Sequence, residues 1–584
     1  MKRVLLVLIS LLLIVQLSAQ IRDSRVRDIL LPTRILWVQD SASIDGFETL
    51  LTPNGAQANL NYYRMPIVMS SKGGAKPAIL FDFGREIQGG LQIISGFVPS
   101  TVPNRVRVRF GESAAEAMCE ITKENGATND HALRDFEIDV PWCGSVQVGN
   151  SGFRFVRIDL LSEERDFKLN EVLALSEYRD IPYRGSFKSS DERLNRIWET
   201  GAYTVHLNMQ EYLWDGIKRD RLIWAGDMHP EVMTIGTVFG YNEVVPKTLD
   251  AIRYVTPLPK VMNNISSYSI WWLLIQREWY MFTGDKEYLM SQQSYITELL
   301  KMFRGMVNEN GVEKVKNDRF LDWPSKANPS AVSAGLQALM VMMMDAGEFF
   351  GEIYGDKDMI KECSAVKESL LSAAALVKNP FLASFKEADE PGVKQGVALM
   401  SLAGLMDATE ANDRYLSYKD SHGFSTFYGY YMLEAMAKAG NYSGAIDIIS
   451  EYWGAMLDLG ATTFWEDFDI RWLENAARID ELVPNGKVDV HSAYGKYCYL
   501  GFRHSLCHGW ASGPTSWLSR HVLGVEILEP GCKVVRITPH LGDLEWVEGK
   551  FPTPFGEIEI SHRKSKSGGI ISKIKAPKGI KIVK

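Results

Sequence analysis

Hydrophobic and polar positions change their period twice along this chain. Val106, Val108 and Phe110 alternate with Arg105, Arg107 and Arg109, the period of two expected of a strand with one buried face. Phe153 and Phe155 alternate with Arg154, and Val156, Ile158 and Leu160 then take the opposite phase, which predicts a β-bulge near Phe155. Turn residues punctuate this stretch at Pro53-Asn54-Gly55, Gly89-Gly90 and Pro103-Asn104, so residues 21–182 read as an N-terminal β-sandwich domain. After Tyr183-Arg184-Gly185 the period lengthens. Leu336, Leu339, Met340, Met343, Gly347 and Phe350 make one stripe of a helix, and the methionine run 342–344 reads as core packing rather than a soft binding surface. Residues 271–282 and 286–307 predict two helices joined by Thr283-Gly284-Asp285, with Gly284 ending the first and Asp285 capping the second. Such hairpins recur across residues 183–525. They suit a closed helical toroid, and a solenoid fits the same pattern. From residue 526 alternation returns, at Val534, Val535 and Ile537 and again at Glu557 to Ile560, which predicts a C-terminal β domain over 526–584.

The first twenty residues stand apart. Lys2 and Arg3 precede an almost wholly apolar run from Val4 to Leu17, and Ser18-Ala19-Gln20 supplies small residues for cleavage. Residues 1–20 therefore read as a secretory signal peptide, and the mature protein is expected in the periplasm or outside the cell. No cysteine lies near the cleavage point to carry a lipid, and no later window holds 18 uninterrupted apolar residues, so no membrane insertion is expected after cleavage.

Composition narrows the classes further. The 584 residues are 46% hydrophobic and 23% charged, which excludes a collagen, a coiled coil or a mainly disordered chain. The net charge is −8, and removing Lys2 and Arg3 with the leader takes it to −10, leaving no basic excess for phosphate contacts; nucleic acid is not an expected partner. The six cysteines (119, 143, 363, 498, 507, 532) are scattered and form neither a disulfide framework nor a zinc site. Nucleotide loops, dinucleotide fingerprints, nucleophile elbows and zinc-protease motifs are all missing, so neither a cofactor nor a metal is expected.

Two clusters carry candidate chemistry. Between Trp214 and Asp227, three carboxylates (Asp215, Asp220, Asp227) and three bases lie among two tryptophans. The second cluster is Gly460-Ala461-Thr462-Thr463-Phe464-Trp465-Glu466-Asp467-Phe468-Asp469. Acids at two distant points of a helical toroid can converge on one cavity. Glycoside hydrolysis needs such a pair, one to protonate the leaving oxygen and one to activate water or attack. Twelve of the fifteen tryptophans fall in the helical segment, where flat indole faces can pack on sugar C–H groups as well as fill a core.

In this order the motifs resemble those of the bacterial α-L-rhamnosidases of glycoside hydrolase family 78. The first cluster is similar to that family's D-C-P-x-R-(D/E)-R…W-x-G-D element and the second to its G-A-T-T-x-W-E element. Ser505-Leu506-Cys507-His508 is similar to S-L-N-H, and Asp322-Trp323 to G-D-W. The stretch from Arg184 to Trp198, and Leu528-Glu529-Pro530-Gly531 with Pro552-Thr553-Pro554, resemble the start of its helical domain and its C-terminal sheet. The resemblance implies a multidomain α and β chain: an (α/α)6 toroid catalytic domain flanked by N-terminal and C-terminal β-sandwich domains. It implies inverting release of terminal α-L-rhamnose from rhamnose-containing oligosaccharides or glycosides. Position by position, Asp220 falls at the general acid and Glu466 at the general base. Asp215, Arg219, Trp224, Asp227 and His508 match sugar-contacting positions, and Trp323 would add an aromatic wall. Gly216 and Ile217 stand where the family has Cys and Pro, and Asp220 stands where Glu is usual, one methylene shorter; Glu231 is an alternative acid.

Other readings compete. Asp220 could be an ion-pair partner of Arg219 or Arg221, Glu466 a helix cap, Asp227 an N-cap, and His508 a core residue. The altered acid position also suits a sugar-binding protein on a degenerate hydrolase scaffold, and the same toroid could hydrolyse another sugar.

Overall fold

The computed structural model describes residues 23–55, 64–98, 102–122, 124–497 and 499–583. The expected leader, residues 1–20, and Cys498 lie outside the described residues. The chain is multidomain, with helical and β-sheet regions in succession.

The N-terminal region is a nine-stranded sheet whose strands pair antiparallel throughout, built around the long strand Ala78–Ser95. One edge of that strand pairs with Gly144–Leu160. Its other edge pairs with Arg34–Gln39 over its first half and with Asp166–Arg179 over its second. The alternating hydrophobes build the core: Phe110 stacks on Phe153 at 4.5 Å, with Val106, Val108 and Ile158 buried beside them. The irregularity expected near Phe155 lies on the partner strand. Phe155 pairs with Asp82 and Phe153 with Ile87, so residues 83–86 bulge out opposite Arg154. The bulge touches the helical region, where the Glu86 N–H donates to Thr462 Oγ1 at 2.9 Å and Tyr203 Oη donates to the Glu86 carbonyl at 2.6 Å.

Helices run from Glu192 to Val522. The helix Ser266–Thr283 ends on Gly284, whose φ of +67° suits the residue without a Cβ. Asp285 then accepts from the Tyr288 N–H at 2.9 Å and starts the helix Lys286–Arg304, as its sequence predicts. The first helix begins at Ser266 rather than 271, because polar serines are accommodated in the interior there. The second stops at Arg304, where Gly305 follows. The stripe from Leu336 to Phe350 is buried along the helix Pro329–Tyr354.

The chain closes with a four-stranded sheet and a three-stranded sheet. Ser186–Ser189, which precedes the helices, pairs antiparallel with the strand Trp546–Thr553 and so belongs to the four-stranded sheet. One continuous hydrophobic core runs from Phe187 through the helices to Ile560. Among the described residues no helix is long and apolar enough to cross a membrane, and the five described cysteines are unpaired.

Candidate active site

The helix Glu192–Asn208 delivers the chain into the loop that carries the first acid cluster. Asp215 organises that loop. Its buried carboxylate accepts from the Asp220 N–H at 2.9 Å and from the Leu222 N–H at 3.0 Å, while its carbonyl accepts from the Gly509 N–H at 2.8 Å. Gly216 bridges to His508, and a Cβ there would stand 2.5 Å from the Arg219 carbonyl, so the loop needs glycine at this point. Ile217 is buried against Leu207 and Cys507. The two departures at 216 and 217 are thus accommodated by close packing. Arg221 pins the far side of the loop to the N-terminal sheet through Asn150, with its guanidinium 4.6 Å over the Trp214 ring.

Glu466 follows the turn at Gly460. The Arg154 guanidinium of the N-terminal sheet bonds Asp82 at 2.8 Å and the Gly460 carbonyl at 3.0 Å, and Thr463 Oγ1 donates to the Leu506 carbonyl. Glu466 Oε2 accepts from the Ser505 N–H at 2.9 Å, and the Glu466 N–H donates to the Ser505 carbonyl. Glu466 is therefore held to Ser505 by both its backbone N–H and its side-chain carboxylate, and it caps no helix.

All eight predicted site residues line one cavity of about 390 Å³: Asp220, Glu466, Asp215, Arg219, Trp224, Asp227, Trp323 and His508. Arg219 lies between the two candidate catalytic carboxylates. Its Nη2 contacts Asp220 Oδ1 at 2.9 Å, and its Nη1 stands 3.8 Å from Glu466 Oε2. Asp220 is thus paired with Arg219, and also faces His131 Nε2 at 3.3 Å, while remaining open to the cavity. Arg221 turns away to Asn150. Asp227 begins the helix Met228–Val238 but makes no capping bond; its Oδ1 accepts from Tyr268 Oη at 2.8 Å. His508 Nε2 stands 3.7, 3.9 and 3.8 Å from Asp215, Asp227 and Glu466.

Electrostatics sorts these groups. Burial, reinforced by the Asp220 charge, pushes Asp215 up to about 7. Burial and then Asp215 hold Asp227 well above the usual carboxylate range. Glu466 is raised by burial, with the Arg219 charge opposing. His508 is held well below the ordinary histidine value by burial and then Arg219, so it sits neutral among the acids. Glu231, the alternative acid, does not line the cavity. It is fully buried against Gly509, with neither carboxylate oxygen hydrogen-bonded, and burial raises it well above the usual range.

Trp224 packs edge-on to Tyr268 at 6.1 Å, and Trp323 edge-on to Phe320 at 5.3 Å. Asp322 faces inward instead, accepting from Ser425 at 2.9 Å and Ser325 at 3.1 Å, and so braces the Trp323 turn. Tyr268, Asn263, Asn264, Phe320, Lys326, Arg503 and Trp510 also line the cavity, and the sequence reading named none of them as site residues. Tyr268 lies in an apolar helix, and Lys326, 4.7 Å over the Trp323 ring, in a short turn; neither carries a local signal. A second cavity of about 420 Å³, lined by His229, Arg277, Glu278 and Arg520 among others, holds none of the predicted residues. Its charges are paired, as in Arg277–Asp345 at 3.2 Å and Arg520–Glu434 at 3.1 Å.

Comparison with known proteins agrees with the resemblance read from the motifs. Residues 182–389 match the family model described as bacterial alpha-L-rhamnosidase 6 hairpin glycosidase domain, and residues 524–582 the bacterial alpha-L-rhamnosidase C-terminal domain. The chain is 24% identical over 549 residues to an alpha-L-rhamnosidase of Alteromonas sp. (strain LOR), covering 86% of this chain and 55% of that protein. It is 21% identical over 502 residues to an alpha-L-rhamnosidase of Formosa agariphila, covering 80% and 50%. The chain thus spans about half the length of the curated relatives it matches. Among solved structures, the family 78 rhamnosidase of Bacillus sp. GL1 superposes with a TM-score of 0.71 at 20% identity, over 88% of this chain and 54% of that one. A Klebsiella oxytoca rhamnosidase with rhamnose bound gives 0.64 at 17% identity, over 85% and 96%. These likenesses show a shared fold.

Proposed function

We propose that this chain, a relative of the bacterial α-L-rhamnosidases in glycoside hydrolase family 78, releases terminal α-L-rhamnose from oligosaccharides or glycosides with inversion at the anomeric carbon. The observation that carries this reading is the convergence of Asp220 and Glu466, from distant parts of the chain, on one cavity with Arg219 between them. In the proposed reaction Glu466 takes a proton from water as it attacks, and Asp220 protonates the departing glycosidic oxygen. For this step Asp220 must carry the proton it donates, which requires it to part from Arg219, 2.9 Å away. Neutral His508 and the carboxyls of Asp215 and Asp227 present donors and acceptors to sugar hydroxyls. Trp224 and Trp323 offer the apolar wall suited to a 6-deoxy sugar.

The proposal extends to architecture and location. The helices 183–525 close as an (α/α)6 toroid between β-sandwich domains at 21–182 and 526–584, in keeping with the six-hairpin description of the matching family model. Residues 1–20 direct export to the periplasm or the medium and are cleaved from the mature protein.

A second assignment of the acid rests on one observation. Asp227 lines the same cavity, and burial holds its carboxyl well above the usual carboxylate range, a shift that favours proton donation. The test of function is the release of free sugar from a panel of aryl glycosides. Rhamnose released ahead of other sugars supports the proposal. Release of a different sugar reassigns the substrate, and binding without turnover favours a sugar-binding protein.

A further inference from the structure

The N-terminal β region places one carboxylate where it touches the supports of both candidate catalytic acids. Glu112 follows the strand Asn104–Gly111 and is completely buried. Its Oε2 lies 3.0 Å from Lys218 Nζ, two residues before Asp220. The same carboxylate accepts from the Leu506 N–H at 2.6 Å and from Ser505 Oγ at 3.2 Å. Ser505 is the residue whose N–H donates to Glu466 Oε2. One side chain of the N-terminal region therefore reaches the acid loop in one direction and the immediate partner of Glu466 in the other.

Lys218 fits this role. Its buried ammonium also donates to the Phe502 and His504 carbonyls at 2.9 and 2.7 Å, on the segment that leads to Ser505. Glu116 meets it at 3.2 Å. His491, with its Nε2 3.5 Å from Lys218, is held neutral by burial and then by Lys218, and Arg134, His504, Glu86 and Cys507 are further titratable or charged groups near the pair. A buried carboxylate is costly to desolvate unless it is paired and hydrogen-bonded, and Glu112 is both. Glu112, Glu116 and His491 also have the spacing of a metal site, but the Lys218 ammonium already provides the positive charge there.

We propose that Glu112 is a positioning residue that sets Asp220 and Glu466 relative to one another, so that the N-terminal β region is part of the catalytic unit. This inference rests on the assignment of those two carboxylates under Proposed function. Two variants of the full chain test it. Glu112→Gln keeps the shape and an acceptor but loses the negative charge that faces Lys218, and Glu112→Ala removes every side-chain contact. Two readouts separate this inference from the function itself. The first is hydrogen exchange by mass spectrometry over segments 216–222 and 503–508. The second is kcat and KM on an aryl α-L-rhamnoside, with a thermal melt confirming a folded protein at the assay temperature.

Exchange should quicken in both segments together, and kcat should fall about ten- to hundredfold in Glu112→Gln with KM within about twofold, as expected when geometry at the reacting centre is lost and binding is kept. Glu116→Gln, whose carboxylate meets Lys218 and accepts from the Glu112 N–H, should leave segment 503–508 closer to its unmodified exchange. Exchange that is unchanged, or quickened in only one segment, overturns the inference, and so does an unchanged kcat in an active enzyme. If the unmodified protein releases no rhamnose, the functional reading fails by itself, and the exchange result alone decides whether Glu112 couples the two segments.

Discussion

The carboxylate of Asp215 accepts a 2.9 Å hydrogen bond from the backbone N–H of Asp220. Five residues apart in sequence, the two are joined so that one acid shapes the loop presenting the other. With its second oxygen on the Leu222 N–H, Asp215 has both oxygens committed to the backbone. Its first task is thus to build the loop, whatever it offers a sugar. Asp215→Asn keeps one acceptor and turns an amide N–H₂ towards the other donor. An unpaired buried donor costs about 1–3 kcal/mol of stability, and because the loop that presents Asp220 is then misplaced, kcat/KM should fall roughly tenfold or more. Kinetics beside a thermal melt checks this, and unaltered kcat/KM would mean that the loop holds its shape without Asp215.

The pH dependence follows from burial. The proposed base, Glu466, would act only when ionised, and burial raises it. Activity should therefore be lost on the acid side at a pH above about 4.3, the ordinary glutamate value. Asp215 bears on stability. Its carboxyl titrates near 7 in the folded chain and near 3.8 when unfolded. The folded state thus keeps a proton that the unfolded chain releases. Its stabilising contribution is complete below the unfolded value and declines as pH rises through about 7. Melting temperatures at pH 5 and pH 8 should differ less in Asp215→Asn than in the unmodified protein. An equal difference in both would contradict the assignment.

The acid is settled by leaving groups. Asp220→Asn should slow substrates with poor leaving groups far more than a nitrophenyl rhamnoside, which needs little protonation. If Asp227→Asn shows that pattern and Asp220→Asn slows all substrates equally, the proton comes from Asp227. Glu231→Gln should change kcat by less than about threefold, since its side chain is sealed behind Gly509 and away from the cavity. A hundredfold loss would bring Glu231 back as a participant.

Specificity should reside in the indole wall. Rhamnose ends in a methyl where mannose carries a hydroxyl, and an unpaired hydroxyl against Trp224 and Trp323 costs about 1–3 kcal/mol, or roughly ten- to over a hundredfold in rate. Trp224→Ala should erode the preference for α-L-rhamnosides over α-L-mannosides. A lowered melting temperature with the rate ratio unchanged would show that Trp224 only packs the wall.

Much of this was legible in the sequence where local rules decide. The helix Lys286–Arg304 follows from Asp285 and Gly284, and the buried strands from their alternation. The acid clusters showed because carboxylates and tryptophans are rarely so dense. What stayed hidden is long-range. The bulge at 83–86 moved to the partner strand, because the phase change on one strand cannot say which strand carries the extra residues. Ser186–Ser189 joined a sheet built more than 350 residues later. Tyr268 on Asp227, His131 on Asp220 and Glu112 behind Ser505 are contacts between distant segments, and nothing beside those residues in sequence marks them.

The central claim is that Asp220 and Glu466 act as an inverting pair on an α-L-rhamnoside. It is tested most directly by following the anomeric proton signals of the released sugar by NMR during the first minutes of hydrolysis. The account predicts that β-L-rhamnose appears first and α-L-rhamnose only later, as mutarotation proceeds, with the signal abolished in Glu466→Gln. Initial release of α-L-rhamnose, or undiminished release by Glu466→Gln, would contradict it.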